Sequence, residues 1–419
     1  METIMDALVA DLVAALDELP LIDPHSHIDP LAPTARTLDD ILGYHYYTEL
    51  AHSAGMSQQV LQPEVSPRER VREILRYMAN YNNTAQYRWF VDIVRTFLAF
   101  PSEEVNWTDA DRLYDTAQRV FQQPDWELQV RQRTHLEKIF LTNDFDDPLE
   151  GFDTTIYVPC LRTDTLVFHM GQTATRQRLA ACTGIEVHDA ASLRRALQAL
   201  FERFVRHGAR ACAISLPPHF APQPLSDTDC DTAFRQQDAH TLALAVFWYL
   251  AQCCREFQLP FDLMIGVNRR VYRHGVHQGQ DLFDQRTSLI QYQELFNAFP
   301  EVVFPISVLT STQNQELVAY AWIFPNVVVN GHWWYSNTPP YIRKDLSERL
   351  TAVPRNKLIG YYSDAYKLEF VLPKYRMYRR ILAEVLAEQF IRPGYLSTSA
   401  AVALGRQLLY DNVRAIFRV

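Results

Sequence analysis

The chain has 419 residues, 48% of them hydrophobic, and a formal net charge of −9. That length admits two or three ordinary domains, or one (β/α)₈ barrel carrying an insertion, and the apolar fraction supplies a large core. The acidic balance argues against broad nucleic-acid binding, and it means that an anionic substrate needs a locally basic pocket.

Met1 to Pro20 is acidic and amphipathic and has no basic n-region, so it does not read as a signal peptide. The first candidate strand follows, Leu21 to His27, and it ends in Pro24-His25-Ser26-His27. Residues i and i+2 of a strand face the same side, so His25 and His27 present two imidazoles to one point. Two neutral imidazoles on one point begin a transition-metal site, although a His-x-His pair is also compatible with surface decoration or a local hydrogen bond.

From Asp29 to His135 the chain is too long for one crossover. Its periodicity predicts helices over Leu38–Ala54, Pro67–Tyr81, Gln86–Phe97 and Asp109–Gln122, with Pro101, Pro124 and the acidic Asn143–Glu150 loop as punctuation. Seven more apolar runs follow, at Lys138–Thr142, Thr155–Pro159, Ala211–Ser215, Pro260–Gly266, Val302–Ser307, Asn326–Asn330 and Leu358–Tyr362. Amphipathic helices separate most of them, around Leu193–His207, Thr241–Phe257, Leu289–Phe299, Glu316–Ile323, Ile342–Leu350 and Tyr375–Gln389. Eight strands alternating with helices favour a parallel α/β fold closed as a TIM barrel. Residues 1–419 then form a single barrel domain, with residues 29–137 as a helical insertion after its first strand.

Leu242–Cys254, the most apolar helical run, is too short to span a bilayer and is followed by Arg255-Glu256. Cys160, Cys182, Cys212, Cys230, Cys253 and Cys254 show no C-x-x-C spacing and read as reduced thiols. The expectation is a cytoplasmic protein without nucleic-acid or membrane partners, acting on a small anionic or sugar-like molecule, with homo-oligomerisation left open.

Barrel sites lie at the C-terminal ends of the strands, which selects the residues just after each run. His25, His27 and Asp364 form a plausible triad for Zn²⁺ or a similar divalent cation, because the eighth strand of a closed barrel adjoins the first. Asp364 is open to a second reading as a helix N-cap, and to a third as a general base. Arg162 and Arg269 suit a substrate carboxylate or a rim salt bridge. His332 offers a ligand or acid, and Trp333 and Trp334 an aromatic wall; core packing accounts for all three equally well. His45 and Tyr46 fall on an insertion helix that could cap the site.

Several motifs in order resemble the uronate isomerase family of the amidohydrolase superfamily. Asp23-Pro24-His25-Ser26-His27 is similar to the family's D-x-H-x-H, and Gly43-Tyr44-His45-Tyr46 through Gly55 to its G-D-H-Y-K-W-R-A-M-R-A-N-G segment. Thr142-Asn143-Asp144 resembles T-D-D, and Pro159 to Asp164 resembles P-x-x-R-P-D. Leu263 to Arg269 resembles L-H-I-G-A-x-R, Gly331 to Asn337 resembles S-G-W-W-F-N-D, and Ser363-Asp364-Ala365-Tyr366 resembles T-D-S-R. The resemblance implies a barrel with a metal on His25, His27 and Asp364. It implies aldose–ketose isomerisation of a hexuronate through an enediolate, with Tyr46 near the reacting carbons, Asp364 as base, and Arg162, Arg269, His45, Trp333, Trp334 and Tyr366 around the substrate.

The departures bear on chemistry. Glu49 and His52 stand where the family has arginines, Tyr366 replaces a third, and Met264 stands at the fifth-strand histidine, for which His332 is a candidate substitute. Lost cations motivate a divergent metal-dependent hydrolase or decarboxylase as an alternative, and Met264 motivates a non-catalytic binding protein.

Overall fold

The computed structural model describes residues 6–419; residues 1–5, the start of the acidic N-terminal stretch, lie outside it. Besides a two-residue continuation of the second strand at Asn143–Asp144, which pairs with Cys160–Arg162, nine short strands build the parallel sheet: β1 (Leu21–Asp23), β2 (Leu136–Phe140), β3 (Tyr157–Val158), β4 (Cys160–Arg162), β5 (Ala211–Leu216), β6 (Phe261–Ile265), β7 (Phe304–Val308), β8 (Val327–Asn330) and β9 (Leu358–Ile359). β3 and β4 are halves of one strand. Pro159 between them has no N–H to give a ladder, so β3 pairs with β2 and β4 pairs with β5. Every ladder from β1 to β9 is parallel and joins neighbours in chain order.

Among the described residues no ladder joins β9 back to β1. The circle is completed just beyond the strand ends instead. His27 N donates to Ala365 O at 2.8 Å, and Asp364 N donates to His25 O at 3.1 Å. The backbone N–H of Ser363 adds a third bond, to Asp23 Oδ1 at 3.0 Å. This seam brings the first and last predicted strands together, as the barrel expectation requires. All eight predicted runs contain strand. The ladder of the first stops at Asp23, so the two histidines follow the strand and do not lie within it.

The helices form where apolar residues recur on one face. Ala190–Arg206 begins at Asp189, whose carboxylate accepts from Ser192 N, and it buries Leu193, Leu197, Leu200 and Phe204 at helical spacing. The bottom of the barrel is stoppered from the C-terminus. Ile22, Phe140, Ala213 and Ile359 from the strands pack with Val413 and Phe417 of helix Asn412–Phe417. The open end is therefore the one that carries the C-terminal ends of the strands.

Between β1 and β2 the chain forms helices Leu38–Leu42, His45–Ser53, Pro67–Met78, Ala85–Leu98, Ala110–Phe121 and Trp126–Thr134. The single helix predicted over Leu38–Ala54 is corrected to two, broken at Gly43-Tyr44. Tyr44 is extended there (ψ 131°), which turns its side chain down to the seam, where its hydroxyl donates to Asp364 O at 2.7 Å. Among the described residues no helix is long and apolar enough to cross a membrane, and all six cysteines are free.

Candidate metal centre at the barrel seam

The seam sets the site. His25 and His27 leave β1 on one side of it, and Asp364 leaves β9 on the other. His25 Nε2 lies 3.4 Å and His27 Nε2 3.2 Å from Asp364 Oδ1. The three side chains offer donor atoms all within 4.8 Å of one another. His25 Nε2 and Asp364 Oδ1 are buried and have no hydrogen-bond partner among the described residues. Orphaned buried acceptors that converge in this way are costly unless a cation completes them. Two imidazoles and one carboxylate fit a divalent metal ion and leave a coordination position free for substrate or water. Asp364 also adopts φ 52°, a left-handed conformation uncommon outside glycine, which aims its carboxylate at the histidines.

Neighbours orient each ligand. His27 Nδ1 is 2.8 Å from Thr142 Oγ1, so its Nε2 faces inward. His25 Nδ1 is 4.0 Å from Asp262 Oδ2, and Asp262 is held by Asn330 Nδ2 at 3.2 Å. Burial pushes Asp262 and Asp23 up to about 6. Burial also pulls His25 down, but Asp364, Asp262 and Asp23 outweigh it and leave the imidazole above its usual range. At His27 burial wins and the pKa falls. Burial favours neutral Asp364, yet the two histidines overcome it and hold the carboxyl well below the ordinary range.

Aromatic rings roof the triad. Tyr46 donates its hydroxyl to Asp364 Oδ2 at 3.4 Å. The Tyr366 ring is 4.9 Å from that of His27, and its hydroxyl accepts from Gln278 Nε2 at 3.1 Å. His45 packs 5.6 Å from Tyr366 and 5.8 Å from Trp334; burial pulls its pKa to about 3, so it is neutral. Trp334, at φ 44°, stacks on Tyr335 at 5.3 Å. Trp333 is buried in a cluster with Met264 and Tyr362. Arg162 is half-buried near His27, and its Nε bonds Asp164 Oδ2 at 3.1 Å. Arg269 lies further out, half-exposed, with Nη1 on Asp281 Oδ2 at 2.6 Å. Two cavities are lined by residues from this surrounding set. One, of about 1000 Å³, is lined by Tyr46, Glu49, Trp334 and Tyr335; the other, of about 350 Å³, lies between Asp164, Ser215, Val267 and Arg269.

His332 is placed elsewhere. Its ring points away from the barrel mouth, 3.3 Å from Arg349 Nη1 and 3.9 Å from Asp345 Oδ2, in a buried network behind β8. It is not among the convergent donors, so the site stands as a triad without a fourth histidine.

Some participants escaped the sequence reading. Lys374 is fully buried beneath the roof, donating to Ser363 O at 2.6 Å and Tyr44 OH at 2.8 Å, with its ammonium 4.8 Å from the Tyr44 ring. Burial lowers it to about 8. Its signal was a lysine at helical spacing with the apolar Tyr378 and Ile381. Asp262 had a clearer one, a carboxylate inside the apolar run Phe261–Ile265.

A parallel eight-unit barrel with two histidines after its first strand and an aspartate after its last is the scaffold of a metal-dependent enzyme. The model of the glucuronate isomerase family matches residues 6–417, and the chain belongs to that family. It is 23% identical to the uronate isomerase of Thermotoga neapolitana, over 97% of this chain and 96% of that one. The solved uronate isomerase of Thermotoga maritima superposes with a TM-score of 0.89 at 19% identity, covering 99% of this chain and 98% of that one. The glucuronate isomerase of Caulobacter crescentus superposes with a TM-score of 0.90 at 18% identity, covering 98% and 94%.

Proposed function

We propose that this chain interconverts the aldose and ketose forms of a hexuronate at the seam between β1 and β9, with His25, His27 and Asp364 holding Zn²⁺. Membership of the glucuronate isomerase family supports the reaction class. The observation that carries the assignment of residues is the convergence of the three donors with the Tyr46 hydroxyl at one buried point. The borderline donor set favours zinc over harder cations such as Mg²⁺.

When bound, the metal would polarise the sugar oxygens next to the reacting carbons. The protein's own groups divide the rest. Asp364 stays ionised across the physiological range, accepts the proton that leaves C2 and returns it to C1, while the hydroxyl proton passes from O2 to O1; being a weak base, it takes the proton only from a carbon acidified by an adjoining polarised carbonyl. Tyr46, whose pKa burial holds well above its usual value, keeps its proton and donates a hydrogen bond to the developing enediolate. His45 and Tyr366 exclude water, and the guanidinium fork of Arg162 receives the acid end of the sugar. Trp333 supports the floor, and Arg269 guards the rim. His332 positions β8 through Arg349.

We read the chain as one barrel unit in which residues 29–137 form one wall of the site. Six free thiols favour a reducing, cytoplasmic setting. The test is incubation with D-glucuronate in D₂O. Deuterium at C2 of recovered substrate together with new ketose supports the reading. Neither signal from a protein with stoichiometric zinc defeats it.

A further inference from the structure

Helix Val371–Leu386 opens with a cation in its first turn. Lys374 is fully buried there, although the start of a helix disfavours positive charge. Among the described residues no carboxylate forms an ion pair with it; Asp364 and Asp23 act on it only through their field. Burial of an ammonium without a counter-ion is unfavourable, and an apolar side chain of similar length would be easier to place. The donors of Lys374 go to the seam instead. Nζ donates to Ser363 O at 2.6 Å and to the Tyr44 hydroxyl at 2.8 Å, and that hydroxyl donates in turn to Asp364 O at 2.7 Å. Two successive carbonyls of the seam, one of them on the residue that carries the carboxylate, are thus tied to one nitrogen.

The tie reaches the backbone where it is least relaxed. Asp364 sits at φ 52°, a region its side chain disfavours, so the backbone there needs partners to hold it. The same ammonium lies 4.8 Å from the Tyr44 ring, 5.2 Å from the Tyr46 ring and 4.8 Å from the Trp89 ring. Cation–π contact of this kind steadies the start of helix His45–Ser53, from which the Tyr46 hydroxyl reaches Asp364 Oδ2. Ligand backbone and roof tyrosine are both held against Lys374.

Building on the isomerase reading, we infer that Lys374 is a positioning residue: through Ser363 O and the Tyr44 hydroxyl it sets the backbone of Asp364, and with it the alignment of the carboxylate on His25, His27 and the reacting carbon. It touches neither metal nor sugar. Charge and geometry make opposite demands here. A buried cation close to a metal centre repels the metal, so charge alone predicts tighter metal binding once Lys374 is made neutral. Positioning predicts looser binding.

Zinc affinity is measured by competition with a chromogenic chelator for wild type, Lys374→Met, Tyr44→Phe and the double variant. Each single variant is expected to bind zinc about 10–100-fold more weakly, the range for groups that orient a ligand. The double variant should lose less than the product of the two single factors, because both residues act on one chain of hydrogen bonds. At saturating zinc, kcat on D-glucuronate should fall in Tyr44→Phe while KM stays near that of wild type, since the misplaced groups act at the reacting carbon. Unchanged or tighter zinc binding in Lys374→Met overturns the proposal, even if the metal-free variant melts at a lower temperature, and so do losses that multiply. A rise in KM with kcat intact assigns the pair to substrate binding and overturns it too. Should Lys374→Met not fold, Tyr44→Phe, which deletes a single oxygen, decides by the same two measurements. A wild type that holds zinc but neither makes ketose nor exchanges C2 defeats the isomerase reading alone, because the zinc affinities still decide the role of Lys374.

Discussion

Thr142 shows how much of the site depends on groups that touch no substrate. Its hydroxyl fixes His27 by one contact of 2.8 Å at Nδ1. Thr142→Val keeps the shape and removes the hydrogen bond; the expected result is a loss of metal affinity of about 10–100-fold, measured by competition with a chromogenic chelator. Glu369 makes the opposite case, a buried carboxyl whose charge is a liability. Its Oε1 accepts from Ala35 N at 2.9 Å and Trp126 Nε1 at 2.7 Å, while Oε2 has no partner among the described residues. Burial raises its pKa from 4.5 to about 7, against the pull of those donors. A raised carboxyl favours the folded state fully below its unfolded value, and that contribution disappears as pH climbs through the folded value. Glu369→Gln keeps the acceptor and drops the charge. The variant is expected to gain stability over wild type at pH above 7, on the order of a few kcal/mol at most, and to lose that gain near pH 4.5, as read by urea melts at both ends.

Turns between elements decide where the side chains go. At the end of β8, Gly331 has φ +51°, and a Cβ would run into the Tyr362 ring. Gly331→Ala is expected to cost about 1–3 kcal/mol in a denaturant melt, because Tyr362 is walled in and cannot retreat. The elements also show what a sequence exposes. Strands buried on both faces, such as Phe261–Ile265, announce themselves as apolar runs, and their ends point to His25, His27 and Asp364 without further information. The break at Gly43-Tyr44 was hidden, since both halves keep a helical period and the kink is set by a hydrogen bond to Asp364, hundreds of residues away. The hairpin Val267–Asn268 with Leu282–Phe283 and the helix Trp126–Thr134 were hidden too. The hairpin strands are two residues each, and the helix has weak amphipathic character. His332 misled for a related reason. Past the end of β8 the left-handed Gly331 turns the chain, so that the His332 ring meets Arg349 while its neighbour Trp333 packs with Met264 and Tyr362, and proximity in sequence does not reveal direction.

At the scale of the whole molecule, the barrel is laddered everywhere except where the site lies. On the proposed assignment a cation held by His25, His27 and Asp364 would bridge that gap, and binding and folding would be linked. Removing metal with a chelator is expected to lower Tm in scanning calorimetry, zinc is expected to restore it, and His25→Ala should unfold at one temperature with or without chelator. Saturation at about 100 Kd corresponds to about 2.7 kcal/mol. The arrangement also orders events during synthesis. The two imidazoles leave the ribosome with β1 and the carboxylate only after β9, so a nascent chain that ends between them has no complete donor set with which to capture the proposed cation. Metallation on that assignment must wait until β9 has been made and has met β1.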